Sequence, residues 1–168
     1  MVCVGEIVNT HGIKGELRIV SDFKYKDKVF INGNKLYLGK RKQKVVITSY
    51  RKHKNYDMVK FEGIDDINDA IIFKGDDVFV KRESLDIDGY VDEDIIGLKV
   101  YDEDKLIGKV TSIIKNKQEI LLVKNRNKSY LIPFVDEFIK NIDLDKKILS
   151  INVIEGLLDE NWYFNIIS

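Results

Sequence analysis

The chain has 168 residues, 44% of them hydrophobic and 33% charged, a composition that argues against disorder and suits one medium or two small domains. No run of about 18 apolar residues occurs, and the N-terminus lacks the basic and apolar segments of a secretory signal. The single cysteine, Cys3, excludes an intrachain disulfide, and its apolar neighbours predict a buried side chain. We therefore expect a cytoplasmic protein without a membrane segment.

Charge is distributed unevenly along the chain, although the net charge is zero. Residues 1–82 contain 17 Lys and Arg against 11 Asp and Glu, whereas residues 83–168 contain 11 against 17. Such asymmetry indicates two modules with different partners. Compositional drift is the alternative, because lysine outnumbers arginine 23 to 5.

The first half is dominated by short segments rich in β-branched and aromatic residues, separated by Gly, Asn or Asp turns. Six of them are predicted as strands: VCVGEIV, GELRIV, KLYLG, KVVITSY, YDMVKFEG and DDVFVKR. This number of short strands predicts a small β-barrel or sandwich. A short helix capped by Asp65 or Asp66 is predicted in GIDDINDAIIFKGDD, with Ile67, Ala70 and Ile71 on its apolar face.

The acidic stretch ESLDIDGYVDE interrupts the strand pattern and marks a domain boundary. We place the first domain at residues 1–83, a linker at 84–91 and the second domain at 92–168. Strands resume in IIGLKVYD, LIGKVTSIIK, EILLVKN, SYLIPFV and KILSINV. FIKNIDL predicts a helical turn, and EGLLDENWYFNIIS a short helix or an irregular cap. The chain is thus predicted to be mainly all-β, with short helices.

No arrangement of residues indicates catalysis. His11 and His53 lie in different predicted turns, without a matching cysteine or carboxylate pair nearby in sequence, so no metal site is predicted. The serines show no nucleophile-elbow context. We therefore predict a protein without catalytic residues, metal or cofactor.

The stretch GIKG, residues 12–15, has three interpretations. A dinucleotide-binding loop needs a third glycine and a following helix, which are lacking. An RNA-clamping Gly-x-x-Gly loop is flanked by helices, whereas strand-like segments flank this one. A β-turn with glycines at positive φ explains the same residues without a ligand. The turn is favoured, and a nucleic-acid contact by this stretch is left open.

The clearest electrostatic feature is segment 34–55, which contains eight Lys or Arg and no acidic residue. In a strand meander, KRKQK and RKHK would form turns at opposite ends of one strand. Such cations neutralise RNA phosphates, and the few arginines favour backbone contact over base recognition. A solvated lysine-rich hairpin is the alternative. The predicted RNA contacts of this segment are Lys40, Arg41, Lys42, Lys44, Arg51, Lys52 and Lys54.

Two apolar features of the second half suggest a protein interface. Tyr90 lies in the acidic stretch, where an aromatic residue is either an anchor for the next barrel or a protein-binding hot spot. Pro133, the only proline, predicts an edge strand or a bulge. With Phe134 it lies in the sequence LIPF, which is either an exposed apolar rim or part of the core.

Four segments together resemble the RimM family of bacterial ribosome maturation factors: VGEIVNTHGIKGELRIVSDF, FEGIDDINDAIIFKGDDVFV, DIIGLKVYDEDKLIGKV and LIPFVDEFIKNIDLDKKILSINVIEGLLD. They follow the family's order over nearly the whole chain. The resemblance implies a six-stranded N-terminal barrel, similar to the second domain of translation elongation factors, and a C-terminal PRC-type barrel. It also implies binding to the head region of the immature 30S subunit and to small-subunit ribosomal protein nineteen, with promotion of 16S rRNA processing. Because the N-terminal segment lies on the domain expected to face rRNA, the resemblance makes His11 and Lys14 candidate RNA contacts.

The family commonly has two adjacent tyrosines before its Asp-Leu-Ile-Gly segment, and the matching positions here are Tyr90 and Val91. The resemblance therefore implies a protein contact at Tyr90 and at Val91, where a smaller side chain replaces the second tyrosine. Pro133 and Phe134 are the candidates for additional apolar contact. We expect a monomeric, non-enzymatic assembly factor. The alternative is a PRC-barrel scaffold that binds proteins unrelated to ribosomes.

Overall fold

The computed structural model describes residues 1–152 and divides the chain into two units, residues 1–89 and 90–168. Each unit contains a six-stranded β-sheet, which confirms the prediction of a mainly β protein. The domain and linker boundaries expected from the sequence stay predictions. Divided after residue 89, the first unit has 17 basic and 14 acidic residues and the second 11 and 14. The first unit therefore still has an excess of basic residues and the second an excess of acidic residues. Both excesses are smaller than those obtained when the chain is divided after residue 82.

The first unit is a closed barrel of six strands in the order β1-β2-β5-β4-β3-β6. All neighbouring strands are antiparallel. The strands match the six predicted segments and are β1 (Val2–His11), β2 (Glu16–Val20), β3 (Lys35–Leu38), β4 (Gln43–His53), β5 (Tyr56–Phe61) and β6 (Asp77–Val80).

The barrel core follows the two-residue period of its strands. In β2, Leu17 and Ile19 are buried, whereas Arg18 between them is partly exposed. The same period shows that the prediction for Cys3 is wrong. Val2 and Val4 are buried, so the cysteine between them lies on the outer face and is exposed.

Two short helices lie outside the strands of the first unit. Helix α1 (Lys26–Val29) was not predicted, and helix α2 (Ile67–Ala70) continues into a 3₁₀ turn, Ile71–Phe73. The predicted capping of α2 is confirmed. The carboxylate of Asp66 accepts hydrogen bonds from the backbone N–H groups of Asn68 at 2.7 Å and Asp69 at 3.0 Å.

The predicted apolar face of α2 is wrong in part. Ala70 is buried as expected, but Ile67 and Ile71 are 38% and 46% exposed, and Phe73 is buried instead. The α-helix lasts only four residues before the 3₁₀ turn begins. Because side chains three apart eclipse in a 3₁₀ turn, Phe73 lies below Ala70 and the predicted stripe is not continued.

The second unit contains a six-stranded sheet in the order β10-β9-β8-β7-β12-β11, with helix α3 (Asp92–Ile95) before it. Only the β12–β7 pair is parallel among the pairs of this sheet that the structure describes. The strands are β7 (Lys99–Asp102), β8 (Lys105–Lys115), β9 (Glu119–Asn125), β10 (Lys128–Pro133), β11 (Ile139–Asp143) and β12 (Ile148–Ile151).

Two predictions for the second unit have opposite outcomes. Pro133 ends β10, an edge strand of the described sheet, as its missing N–H predicted. The helical turn predicted in FIKNIDL is wrong, because this segment is strand β11. A register shift between Ile139 and Asn141 places both Ile139 and Ile142 against the core at a spacing that imitates a helix. The tail EGLLDENWYFNIIS lies outside the described residues.

Candidate nucleic-acid interface

Strand β4 carries the basic segment and runs between β3 and β5. Its eleven residues span roughly 33 Å at the usual strand rise. The turn at residues 39–42 precedes it, and the turn at residues 54–55 follows it. The basic groups therefore lie towards opposite ends of one strand, as predicted, although Arg51 and Lys52 belong to the strand rather than to a turn.

The cations at the start of β4 and in the turn before it fall into two groups. Lys40, Arg41 and Lys44 have exposed side chains. Lys42 has a positive φ of 52° and places its Nζ 3.7 Å from the ring centroid of Phe79. The same Nζ donates a hydrogen bond of 3.2 Å to the Gly39 carbonyl. Lys42 therefore stabilises its own turn, and the other three cations face solvent.

The cations at the far end of β4 also differ. Arg51 reaches across β5 to Glu16, to which its Nε and Nη2 donate hydrogen bonds of 3.0 and 2.7 Å. This paired contact lowers the pKa of the Glu16 carboxyl below its ordinary value. Lys52 and Lys54 are exposed, and Lys54 adopts a φ of 55° in the turn.

The GIKG stretch is a turn between β1 and β2, as favoured from the sequence. Gly12 and Gly15 have φ values of 70° and 84°. A Cβ on Gly15 would lie 2.5 Å from the Ile64 carbonyl oxygen, so the turn packs directly on the chain before α2. Ile13 accepts a hydrogen bond of 3.2 Å from the Ile67 N–H, and the Lys14 side chain is exposed.

The two histidines are brought together, contrary to the prediction that they occupy separate turns. His11 ends β1 and His53 ends β4, and their ring centroids are 6.0 Å apart. Within residues 1–152, no three His, Cys, Asp or Glu side chains are grouped so that they could hold a metal ion.

Sequence reasoning missed Arg18 and Tyr56, which border the histidines. Arg18 Nη2 lies 2.8 Å from His11 Nδ1, and its guanidinium carbon is 5.6 Å from the Tyr56 ring centroid. The sequence signal for Arg18 was the alternation of apolar and polar residues in β2, which places Arg18 on the outer face of the barrel together with Glu16. We call His11, Glu16, Arg18, Arg51, His53 and Tyr56 the outer-face cluster.

A second missed group is buried and joins α1 to the barrel. Asp57 is 1% exposed, and its carboxylate accepts hydrogen bonds from Lys26 Nζ at 2.8 Å and the Tyr50 hydroxyl at 2.7 Å. Burial and the Asp57 carboxylate raise the pKa of Tyr50 to about 12. The only sequence signal was an aspartate inside an apolar strand. This group stabilises the barrel rather than forming a surface site.

The predicted protein-binding residues differ in exposure. Tyr90 is 41% exposed, whereas Val91 is buried and donates its N–H to Asp94 Oδ2 at 3.1 Å. Pro133 is buried, and Phe134 packs half-buried against the core of the second unit. Of these four residues, Tyr90 and part of Phe134 are therefore accessible to a partner protein.

Comparison with known proteins identifies both halves of the chain. The RimM N-terminal domain matches residues 2–85, and the RimM PRC barrel domain matches residues 92–157. The chain belongs to the RimM family. This confirms the resemblance seen in the sequence and the PRC-barrel assignment of the second unit.

Relatives of this family match the chain over nearly its full length. The ribosome maturation factor RimM of Staphylococcus epidermidis is 39% identical over 163 residues, covering 93% of this chain and 98% of the relative. The ribosome maturation factor RimM of Bacillus pumilus is 38% identical over 167 residues, covering 94% and 96%. The solution structure of the N-terminal domain of RimM from Thermus thermophilus is 19% identical, covers 51% of this chain and 94% of that domain, and has a TM-score of 0.43.

Proposed function

We propose that this protein is a non-enzymatic ribosome maturation factor that binds the immature 30S subunit and promotes 16S rRNA processing. The observation that carries the proposal is the match of both family domains, in order, together with full-length relatives named as ribosome maturation factors. A cytoplasmic monomer suits this role. In the described part of the chain, no helix is long and apolar enough to cross a membrane.

The first unit is the proposed rRNA-binding unit. It has three more basic than acidic residues. Seven of its predicted contacts have exposed side chains: Arg51, which is paired with Glu16, and Lys14, Lys40, Arg41, Lys44, Lys52 and Lys54. Exposed lysines bind phosphates as point charges without reading base edges. This unit would therefore recognise the folded RNA backbone of the 30S head.

The second unit is the proposed protein-binding unit, with small-subunit ribosomal protein nineteen as its partner. It has three more acidic than basic residues, a charge suited to steering a basic ribosomal protein. Tyr90 would be the apolar anchor, because a half-exposed aromatic ring is typical of interface hot spots. Phe134 would add contact only through its exposed part.

The mechanism follows from differential affinity. A protein that binds an immature rRNA fold more tightly than the mature fold raises the population of the immature fold by that difference alone. It holds the head region until later components join, and it dissociates when the mature fold removes the preference. No chemical step is needed for this cycle.

The proposal is tested by sedimentation with free immature 30S particles and with mature 70S ribosomes. We expect the protein to co-sediment with the immature particles and not with mature ribosomes. Binding to a protein partner without either particle would instead indicate a scaffold unrelated to ribosomes. Equal binding to both particles would contradict the maturation cycle.

Charge reversal tests the rRNA contact. Changing Lys40, Arg41 and Lys44 to Glu should weaken 30S binding and reduce the salt slope by about 2 to 3, because each lost phosphate contact removes about 0.7 to 0.9 from that slope. The matched control reverses Lys99, Lys105 and Lys128, three exposed lysines of the second unit, and changes the net charge equally. Equal loss in both variants would show a general charge effect.

Truncation of Tyr90 tests the protein contact. Tyr90→Ala should weaken binding to small-subunit ribosomal protein nineteen by about 2 kcal/mol, as expected for a hot spot. Leu106→Ala is the control, because Leu106 is 44% exposed in the same unit. Calorimetry that gives the same affinity for both variants would remove Tyr90 from the interface.

A further inference from the structure

The outer-face cluster contains a cation without a counter-ion. Lys26 and Lys60, two other half-buried cations of the first unit, pair with the carboxylates of Asp57 and Asp65. Arg18 is also half-buried, yet among residues 1–152 it forms no ion pair, and its Nε is buried without a hydrogen-bond partner. A partly desolvated guanidinium is stabilised by an anion that accepts hydrogen bonds from its N–H groups.

The nearest carboxylate of the cluster does not compensate Arg18. Glu16 is held by Arg51 through two hydrogen bonds, and its lowered pKa keeps it ionised at neutral pH. The cluster therefore carries one negative and two positive charges before its histidines are counted. Protonation of His11 and His53 would bring the excess to three positive charges.

The contact between Arg18 and His11 fixes the state of the imidazole. A guanidinium nitrogen can only donate, so His11 Nδ1 at 2.8 Å must accept and be unprotonated. Protonation of Nδ1 would remove this acceptor and place a second cation against Arg18, which a bound anion would offset.

We propose that Arg18, His11 and His53 form a binding site for one phosphate group of the rRNA backbone, and that binding is coupled to proton uptake. The site lies on the outer face of β1, β2, β4 and β5. This inference rests on the rRNA-binding function proposed above and adds to it a specific contact that the lysine segment does not supply. Glu16, Arg51 and Tyr56 are the other charged or titratable groups of the cluster, and its one carboxylate, Glu16, is held by Arg51.

The first test measures binding of the full-length protein to a labelled transcript of the 16S rRNA head domain across a salt series. Arg18→Ala should weaken binding by about tenfold, the loss expected for a charge-assisted hydrogen bond, and lower the salt slope by about one phosphate. Lys28→Ala removes one exposed positive charge from α1 as the control and should have a smaller effect. Equal effects of the two variants would overturn the site.

A second variant separates a built site from a simple charge. Arg18→Lys keeps the positive charge but lacks Nε and the planar fork, so it should bind more weakly than the wild type. Circular dichroism spectra must show the same fold for all variants. Wild-type affinity in Arg18→Lys would overturn the proposed geometry.

The pH dependence tests the coupling. Protonation of the two imidazoles would add positive charge to the site, so wild-type binding should be several-fold tighter at pH 5.8 than at pH 7.5. The double change His11→Asn and His53→Asn removes the titrating groups, while the amide oxygen introduced at position 11 can still accept from Arg18, and should abolish this difference. An unchanged pH ratio would overturn the coupling.

The outcomes distinguish the two proposals. If charge reversal of Lys40, Arg41 and Lys44 weakens binding but Arg18→Ala matches its control, the rRNA-binding function stands and this site fails. If the wild-type protein binds neither the transcript nor immature 30S particles, the proposed function fails. In that case, inorganic phosphate is added to the wild-type protein and the NMR resonances of His11 and His53 are followed. A shift of these resonances would identify an anion site for another ligand and would overturn the rRNA assignment.

Discussion

The β1–β2 turn gives a sharp prediction for stability, because its two glycines differ in surroundings but not in conformation. Both have positive φ, 70° at Gly12 and 84° at Gly15. A Cβ at Gly12 would meet nothing within 4 Å, whereas one at Gly15 would lie 2.5 Å from the Ile64 oxygen and 3.1 Å from its carbonyl carbon. Gly12→Ala and Gly15→Ala therefore form a matched pair.

The expected magnitudes follow from two terms. Both substitutions force a residue with a Cβ into the left-handed region, which costs about 1 to 2 kcal/mol. Gly15→Ala adds overpacking against backbone atoms that cannot rotate away, about 1 to 3 kcal/mol more. The reduced freedom of the unfolded chain is the same for both variants and cancels in the comparison. Gly15→Ala should therefore be less stable than Gly12→Ala by about 2 kcal/mol.

Native-state hydrogen exchange of the full-length protein measures this difference unit by unit. The backbone amides of β2 report the first unit, and those of β9 report the second unit as an internal control. We expect lost protection in β2 for Gly15→Ala and unchanged protection in β9. If Gly12→Ala and Gly15→Ala lose equal protection, the close approach to Ile64 does not constrain the turn.

Three further changes test single interactions in the first unit. Tyr50→Phe removes the hydroxyl that donates to buried Asp57 and should cost about 1.5 to 3 kcal/mol in urea unfolding, and a wild-type midpoint would contradict this. The pKa of the Glu16 carboxyl is lowered on folding, so the stability that this carboxylate provides is present above pH 4.5 and is lost as the pH falls through the folded pKa. Glu16→Gln should therefore be less stable than the wild type at pH 7, and the difference between the two should disappear in acid. A deficit that does not shrink as the pH falls below 4.5 would refute the role of the Arg51 pair. Asp66→Ala removes the α2 cap and should cost about 1 kcal/mol, measured against exposed Asp69→Ala.

Most of the fold could be predicted because the alternation of apolar and polar residues that marks a strand is a local property of the sequence. Alternating residues such as Leu17 and Ile19 mark one buried face regardless of the partner strand. The errors fall where the period is broken. A register shift gave β11 helical spacing, and a change from α to 3₁₀ geometry moved the buried position from Ile71 to Phe73. The spacing of apolar residues alone does not predict such local changes in backbone geometry.

The candidate site was less predictable, because closing the barrel creates it. His11 and His53 are 42 positions apart, and neither has a ligand-like neighbour in sequence. Strand order β1-β2-β5-β4 and the antiparallel registers bring their rings within 6.0 Å and place Arg18 beside them. Single-sequence reasoning supplies the types of side chain, but the pairing of strands decides which of them meet.

The structure also changes how the basic segment is interpreted. Residues 34–55 contain eight cations, but Lys42 is held on Phe79 and Arg51 on Glu16. At most six remain for phosphates without breaking an internal contact, which limits this segment's share of the salt slope to a magnitude of about 4 to 5. Arg18 lies outside the segment and keeps an unsatisfied Nε within the described residues. Counting charges along the sequence therefore overestimates the contribution of this segment to RNA binding. It also misses Arg18, the cation of the proposed phosphate site.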